Sequence, residues 1–167
     1  MNFLNGLIWL VLMAMLSSCV SSESGNFSAR QTVSIESIPS GAEIFCHGKK
    51  LGTTPAELSF QADIVHEIYF KKPGFKSGVG YLNPVLKNNE KQFIQFGMAK
   101  DMGYYYALSP SELTVELKWE ALPDTRGIVP FERMGALSIK ADQMLRSGDL
   151  TDVEHKIAIR QIIELFK

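Results

Sequence analysis

Proline and glycine separate short runs of alternating apolar and polar residues between residues 33 and 75, and this regular spacing constrains the fold most. Alternation with a period of two is typical of half-buried strands, whereas Pro and Gly favour turns. The inward phase of the alternation comprises Val33, Ile35, Ala42, Ile44, Cys46, Leu58, Phe60, His66, Ile68 and Phe70. These positions predict four short strands in a small antiparallel β-sandwich, with a tight hairpin turn at 47–50 and an irregular connection at 51–55.

Four blocks of turn residues stand out in this segment: Ser37-Ile38-Pro39-Ser40-Gly41-Ala42, Gly48, Leu51-Gly52-Thr53-Thr54-Pro55 and Lys72-Pro73-Gly74-Phe75. In order and spacing they resemble the PEGA domain. The pattern of that family is S-x-P-x-G-A, then a D-G turn, G-x-T-P and a closing G-Y or G-F. The chain departs from the pattern at His47, where the family usually has Asp, and in QADIVHE, which lacks the Gly usual before the fourth strand.

The resemblance covers residues 32–78 and implies a small β module of bacterial envelope and surface proteins. It also implies that the motif residues shape turns and carry no chemistry of their own. These residues are Pro39, Gly41, Gly48, Gly52, Pro55 and Gly74. We expect Gly48 to be held more tightly than Gly103, which the sequence places in a looser loop.

The N-terminal segment predicts a lipoprotein signal peptide at 1–18. The nearly continuous apolar run 3–16 would span about 21 Å as a helix, which is short of a bilayer core of about 30 Å. The following Leu16-Ser17-Ser18-Cys19 resembles the bacterial lipobox, although the n-region lacks Lys and Arg. The resemblance implies acylation of Cys19, a Ser- and Gly-rich tether at 19–31 and, since Val20 replaces Asp, an outer-membrane anchor facing the periplasm. The alternative is a weak start-anchor helix with an incidental cysteine.

The segment 79–122 predicts a β extension of the module. Its strongest strand candidate is LTVELKW at 113–119, in which Leu113, Val115, Leu117 and Trp119 alternate with polar residues. Shorter candidates lie at 93–98 and 104–108. Tyr104, Tyr105 and Tyr106 suit either strand packing or a surface that stacks on sugar.

The C-terminal segment 123–167 predicts a loop to residue 135 and then a helical hairpin, which makes the fold class α+β. Helical periodicity starts near Ala136, Ser147-Gly148 interrupts it, and Thr151 with Glu154 forms a capping box. The broad apolar side of the second helix comprises Val153, Ile157, Ile159, Ile162, Ile163 and Phe166. The pair is weakly similar to the short C-terminal domain called SHOCT. It would either pack on the sheet of its own chain or serve as an oligomerising or partner-binding tail.

Composition and motifs argue against several functional classes. With 17 Lys and Arg against 18 Asp and Glu, the chain lacks the clustered positive charge of a nucleic-acid-binding protein. It contains no G-x-S-x-G, C-x-x-C or H-E-x-x-H motif and no phosphate-cradling loop, so we expect neither a catalytic site nor a cofactor. His47, His66 and His155 are spread through the sequence, which predicts no metal site, and Cys46 is expected to fill the core.

These observations favour a non-catalytic envelope lipoprotein that is anchored at Cys19 and acts as a structural module or binds a protein or a glycan. The alternative is an assembly subunit that oligomerises through its C-terminal helices. An enzyme is the third and weakest reading. An exposed apolar face on the last helix would favour assembly, exposed aromatic rings would favour glycan binding, and a pocket with convergent polar groups would favour an enzyme.

Overall fold

Eight strands and three helices make up the part of the chain that this computed structural model describes, residues 28–87 and 97–167. The strands are β1 (Arg30–Ile38), β2 (Glu43–Cys46), β3 (Lys49–Thr53), β4 (Ala56–Gln61), β5 (His66–Lys71), β6 (Gly78–Leu86), β7 (Tyr106–Ser109) and β8 (Glu112–Glu116). The helices are α1 (Met98–Asp101), α2 (Pro130–Ser147) and α3 (Asp152–Phe166). The order of elements confirms the predicted α+β class, with a β module followed by a helical pair.

The strands form two sheets, of order β4-β1-β8 and β3-β2-β5-β6-β7. Neighbouring strands are antiparallel except β1 and β8, which pair in parallel from Ser34 opposite Glu112 to Ile38 opposite Glu116. The prediction that 113–119 extends the module is confirmed for residues 113–116, which lie in β8 and add a strand to the edge of the smaller sheet. Residues 117–119 follow the strand. The sandwich is therefore largely, and not wholly, antiparallel.

Two strands, β3 and β6, differ from the sequence prediction. The segment 51–55 contains the end of β3, which pairs with β2 up to Glu43 opposite Thr53. Gly52 interrupts the alternation there, but β3 is an edge strand, and a register shift between Ile44 and Phe45 accommodates the irregularity. The second missed strand is β6, whose inward positions include glycines and therefore lack an apolar signal.

Gly78 and Gly80 on β6 allow the two sheets to approach closely. A Cβ atom at Gly78 would lie 2.6 Å from Leu117 Cδ2, and one at Gly80 would lie 2.9 Å from Leu113 Cδ2. Glycine in a strand often marks such an approach of another chain segment. The GVGY sequence at 78–81 is thus explained by packing of β6 against the segment that contains β8.

One hydrophobic core runs from the sheets to the helical pair. Trp119, Phe70, Ile35 and Ile162 are fully or almost fully buried in it. The α3 side chain Gln161 joins the layers, since its amide donates to Leu117 O at 2.8 Å and accepts from the Trp119 N–H at 2.8 Å. The helices therefore dock on the β module of their own chain, which is the first of the two arrangements that the sequence left open.

The helical boundaries differ partly from those predicted. The capping box at Thr151 and Glu154 is present, and Gly148 ends α2 in the left-handed conformation. However, α2 begins at Pro130 and not near Ala136, because a proline is favourable in the first helical turn. The strand candidate 93–98 is wrong at Met98, which begins α1, while 93–96 lie outside the described residues.

No helix within residues 28–87 and 97–167 is both long and apolar enough to cross a membrane.

Candidate functional site

Residues of the first and third motif blocks meet in one buried hydrogen-bond network, where the connection after β1 contacts the connection between β3 and β4. The Ser37 hydroxyl donates to Pro39 O at 2.7 Å and lies 2.6 Å from the Thr54 hydroxyl, which also accepts from the Ala42 N–H at 3.0 Å. The backbones of Gly41 and Thr54 pair at 2.9 Å. Both motif blocks are therefore needed to satisfy each other's buried polar groups, and this gives the motif a structural role.

The turn glycines of the motif also have the backbone shapes that turns require. Gly41, Gly48 and Gly74 have φ angles of +81°, +76° and +79°, in the left-handed region that favours glycine. Gly52 has an ordinary φ angle, since it lies within β3. Pro55 follows β3 in the short connection to β4.

The expectation that Gly103 lies in a looser loop than Gly48 is wrong. Both have positive φ, but a Cβ atom at Gly48 would meet nothing within 4 Å, whereas one at Gly103 would lie 2.8 Å from Asp63 Cβ. Gly103 is buried in the turn before β7. It is therefore the more constrained of the two glycines, because side-chain packing against Asp63 adds to the backbone requirement.

The outer surface of the larger sheet presents a set of side chains that we call the aromatic face. Strand pairing places Phe45 beside Tyr69, Tyr69 beside Val79, and Glu67 beside Tyr81. Tyr69 and Tyr81 are 38% and 51% exposed, and Phe45 is half-buried. The aromatic face comprises Phe45, Glu67, Tyr69, Lys71, Val79 and Tyr81.

Charged groups at both ends of the aromatic face orient its rings. The Tyr81 hydroxyl donates to Glu67 Oε1 at 3.0 Å, and Lys71 Nζ lies 5.2 Å from the centre of the Phe45 ring. Hydrogen bonding to the Glu67 carboxylate and its negative charge raise the pKa of Tyr69 and of Tyr81 above the ordinary value of a phenol. The aromatic face thus combines flat apolar surfaces with a donor, an acceptor and a cation.

The tyrosines singled out in the sequence form a less continuous surface. Tyr104 is exposed, but Tyr105 and Tyr106 are half-buried, and Tyr106 begins β7. Alternation within one strand could not reveal the aromatic face, because its rings come from three different strands. Cys19, the predicted lipidation residue, lies outside the described residues.

The hairpin turn between β2 and β3 brings together three side chains that the sequence separates. Potential ligand atoms of Cys46, His47 and His66 lie within 4.8 Å of one another. The rings of His47 and His66 are 6.0 Å apart between centroids. The distance in sequence between His66 and the other two residues gave no sign of this cluster. His66 reaches the hairpin only through the antiparallel pairing of β2 with β5.

Cys46 and His66 are both buried, as their inward phases predicted. Burial raises the pKa of the Cys46 thiol, although a hydrogen bond to the His47 backbone opposes that shift. A thiol in this environment is a poor nucleophile at neutral pH, because the reactive form is the thiolate. His66 Nε2 lies 2.8 Å from Gln61 O.

A shallow groove of about 350 Å³ lies where α3 meets the segment after β8. Its polar lining includes Glu116 and Gln161, which are already engaged: Arg160 forms an ion pair with Glu116, and the Gln161 amide bonds to backbone groups. These polar groups stabilise the contact between helix and strand.

Comparison with known proteins identifies one family. A search of the curated proteins and a search of the solved structures each found no match to this chain. The model of the PEGA domain matches residues 30–90, which include β1 through β6 and extend beyond the segment 32–78 that carries the sequence blocks. The N-terminal β region of the chain is therefore similar to the PEGA domain.

Proposed function

We propose that this chain is a non-catalytic lipoprotein of the bacterial cell envelope whose β module binds a glycan. The aromatic face is the observation that carries the proposal. The module would be held near the membrane by acylated Cys19 and the tether that follows it. This proposal extends the PEGA domain match to a ligand class and an anchor.

The chemistry of the aromatic face suits a sugar chain. Sugar rings present apolar C–H groups on one side, which pack against exposed aromatic rings such as Tyr69 and Tyr81, while their hydroxyls need polar partners. Glu67 can accept hydrogen bonds from such hydroxyls, and Lys71 can donate to them. The shape is also suitable, since a long polymer can lie across an open sheet without entering a pocket.

The binding proposal is tested with Tyr69→Ala and Tyr81→Ala in the full chain. The probe is soluble glycan strands released from bacterial cell wall, titrated by calorimetry. Each variant should weaken binding at least about tenfold, which corresponds to about 1.4 kcal/mol of stacking and hydrogen bonding. Tyr104→Ala is the matched control, because Tyr104 is 54% exposed but lies outside the aromatic face.

Equal affinity of the parent and both aromatic-face variants would refute glycan binding at this face. If the parent does not bind the glycan strands, while crosslinkers placed at residue 69 capture a protein in intact cells, the face binds a protein instead. The two results distinguish the two ligand classes named in the sequence analysis.

The anchoring proposal is tested separately with Cys19→Ala. Acylation of cysteine requires its sulfur and, after cleavage, its amine. The variant should therefore remain uncleaved and incorporate no labelled fatty acid in cells. The parent should be cleaved and should incorporate the label. Equal labelling of parent and variant would contradict the anchor without affecting the glycan test.

The alternative, an assembly subunit, is favoured by apolar residues at the start of α2. Ile128 and Phe131 are 99% and 82% exposed, and Ile139, about two turns after Phe131 on an adjacent part of the helix surface, is 60% exposed. By contrast, Ile157 and Ile162 on α3 are buried within their own chain, and Val153 and Ile163 are exposed. Assembly would therefore use α2 more than α3. Concentration-dependent sedimentation that Phe131→Asp abolishes would support it.

A further inference from the structure

We propose that Cys46, His47 and His66 form a binding site for Zn²⁺ at the tip of the β2–β3 hairpin. One thiolate and two imidazoles are a ligand set that borderline-soft transition metals prefer. Three protein ligands leave the fourth tetrahedral position to water. The site would tie the hairpin tip to the start of β5, and it is separate from the aromatic face.

The fold places the three side chains around one point. Pairing of Cys46 with Ile68 brings the hairpin turn alongside His66, the first residue of β5. In a tetrahedral zinc site with Zn–S of about 2.3 Å and Zn–N of about 2.0 Å, ligand atoms are about 3.5 Å apart. The observed separations of up to 4.8 Å therefore need a movement of about 1 Å. The exposed ring of His47 can supply that movement by rotating about its side-chain bonds.

The hydrogen bond of His66 to a backbone carbonyl leaves one ring nitrogen available to a metal ion. A carbonyl oxygen can only accept, so the short contact to Gln61 O places the proton of the neutral ring on Nε2 and leaves the lone pair on Nδ1. Histidines that bind metals usually donate their other ring N–H to such a backbone carbonyl, which fixes the tautomer. The Phe60 ring, 4.9 Å away between centroids, restrains His66 further.

His47 is the residue that packing does not explain. It is exposed and has a φ of +49°, and it is the one non-glycine residue with positive φ in the part of the chain that the structure describes. Cys46 and His66 could serve as core residues without any ligand. The tight turn accounts for the positive φ of His47, and exposure leaves its side chain without a packing role. Its imidazole is therefore free to bind a metal ion shared with the other two residues.

The test uses Co²⁺ as a spectroscopic substitute for Zn²⁺. The protein is the full chain in detergent with Cys19→Ser, so that Cys46 supplies the single thiol of the molecule. Titration should give one saturable equivalent of Co²⁺ with a thiolate-to-cobalt charge-transfer band, and one equivalent of Zn²⁺ should abolish it. Absence of that band in the parent would overturn the proposal.

Variants then assign the ligands. Cys46→Ala should lose the charge-transfer band, and His47→Asn should weaken Zn²⁺ binding by more than about tenfold, the smallest loss that is typical even for a second-shell partner of a metal ligand. His47→Asn is the decisive variant, since Asn tolerates positive φ and the position is exposed, so the fold should persist. His155→Gln, at a histidine that bonds Asp142 elsewhere, should bind Zn²⁺ like the parent. Equal affinity of His47→Asn and the parent would contradict the three-ligand site.

Discussion

Thr54 tests whether the two motif blocks S-x-P-x-G-A and G-x-T-P occur together because they share one hydrogen-bond network. Its hydroxyl lies 2.6 Å from Ser37 Oγ and 3.0 Å from the Ala42 nitrogen. Because Ser37 uses its single hydroxyl proton for Pro39 O, the Thr54 hydroxyl must donate to Ser37 and accept from Ala42. Thr54→Val preserves the branched shape but removes both interactions.

The expected loss follows from the groups that Thr54→Val leaves without partners. A buried N–H at Ala42 without an acceptor costs about 1–3 kcal/mol, and the lost hydrogen bond to Ser37 costs about 1 kcal/mol. We therefore expect the unfolding free energy to fall by about 2–4 kcal/mol. Thr54→Ser keeps the hydroxyl and loses one methyl group, so it should cost only about 1 kcal/mol.

The assay is equilibrium unfolding in urea, followed by the fluorescence of buried Trp119. Thr53→Val is the matched control, because Thr53 is the exposed neighbour of Thr54 in β3 and its substitution should change the free energy by no more than about 0.5 kcal/mol. The urea dependence of the free energy should be the same in all variants. Equal midpoints for Thr54→Val and Thr53→Val would refute the network as the reason for the motif.

Three further predictions concern packing, charge and the docking of the last helix. Gly103→Ala should lower the melting temperature more than Gly48→Ala in calorimetry, because both glycines have positive φ but only Gly103 has Asp63 against the new Cβ; the opposite order would contradict this packing. Burial raises the pKa of Glu154, but hydrogen bonds from the Thr151 backbone and from a lysine outweigh it, so the net pKa is lowered. The stability that Glu154 contributes should thus be complete above its unfolded pKa of about 4.3 and disappear as the pH falls through the lower folded value, and Glu154→Gln should lose this pH dependence in urea titrations. Gln161→Leu should lower the unfolding free energy by about 2–4 kcal/mol, because it leaves two buried backbone groups unpaired; an unchanged urea midpoint would show that the amide is not needed for docking.

Local interactions explain what the sequence alone determined. The alternation of Val33 with Ile35, the turn at Gly41 and the capping box at Thr151 each depend on residues a few positions apart, and all three are present in the structure. The PEGA motif was readable for the same reason, since turn chemistry fixes residue types at fixed offsets. Local patterns did not predict strand β6, because its glycines are explained by contacts with a segment that is distant in the sequence.

Tertiary structure decided which distant strands and helices pack together and which side chains form the two candidate sites. The parallel pairing of β1 with β8 and the docking of α3 depend on which apolar surfaces cover each other, and hydrophobic burial is not directional. The aromatic face and the cluster at His47 likewise join residues from separate strands. The alternation of residues within a single strand therefore does not reveal either of them. The sequence determined the short-range shapes because they follow from backbone and side-chain preferences, whereas both candidate sites required the register in which the sheet strands pair.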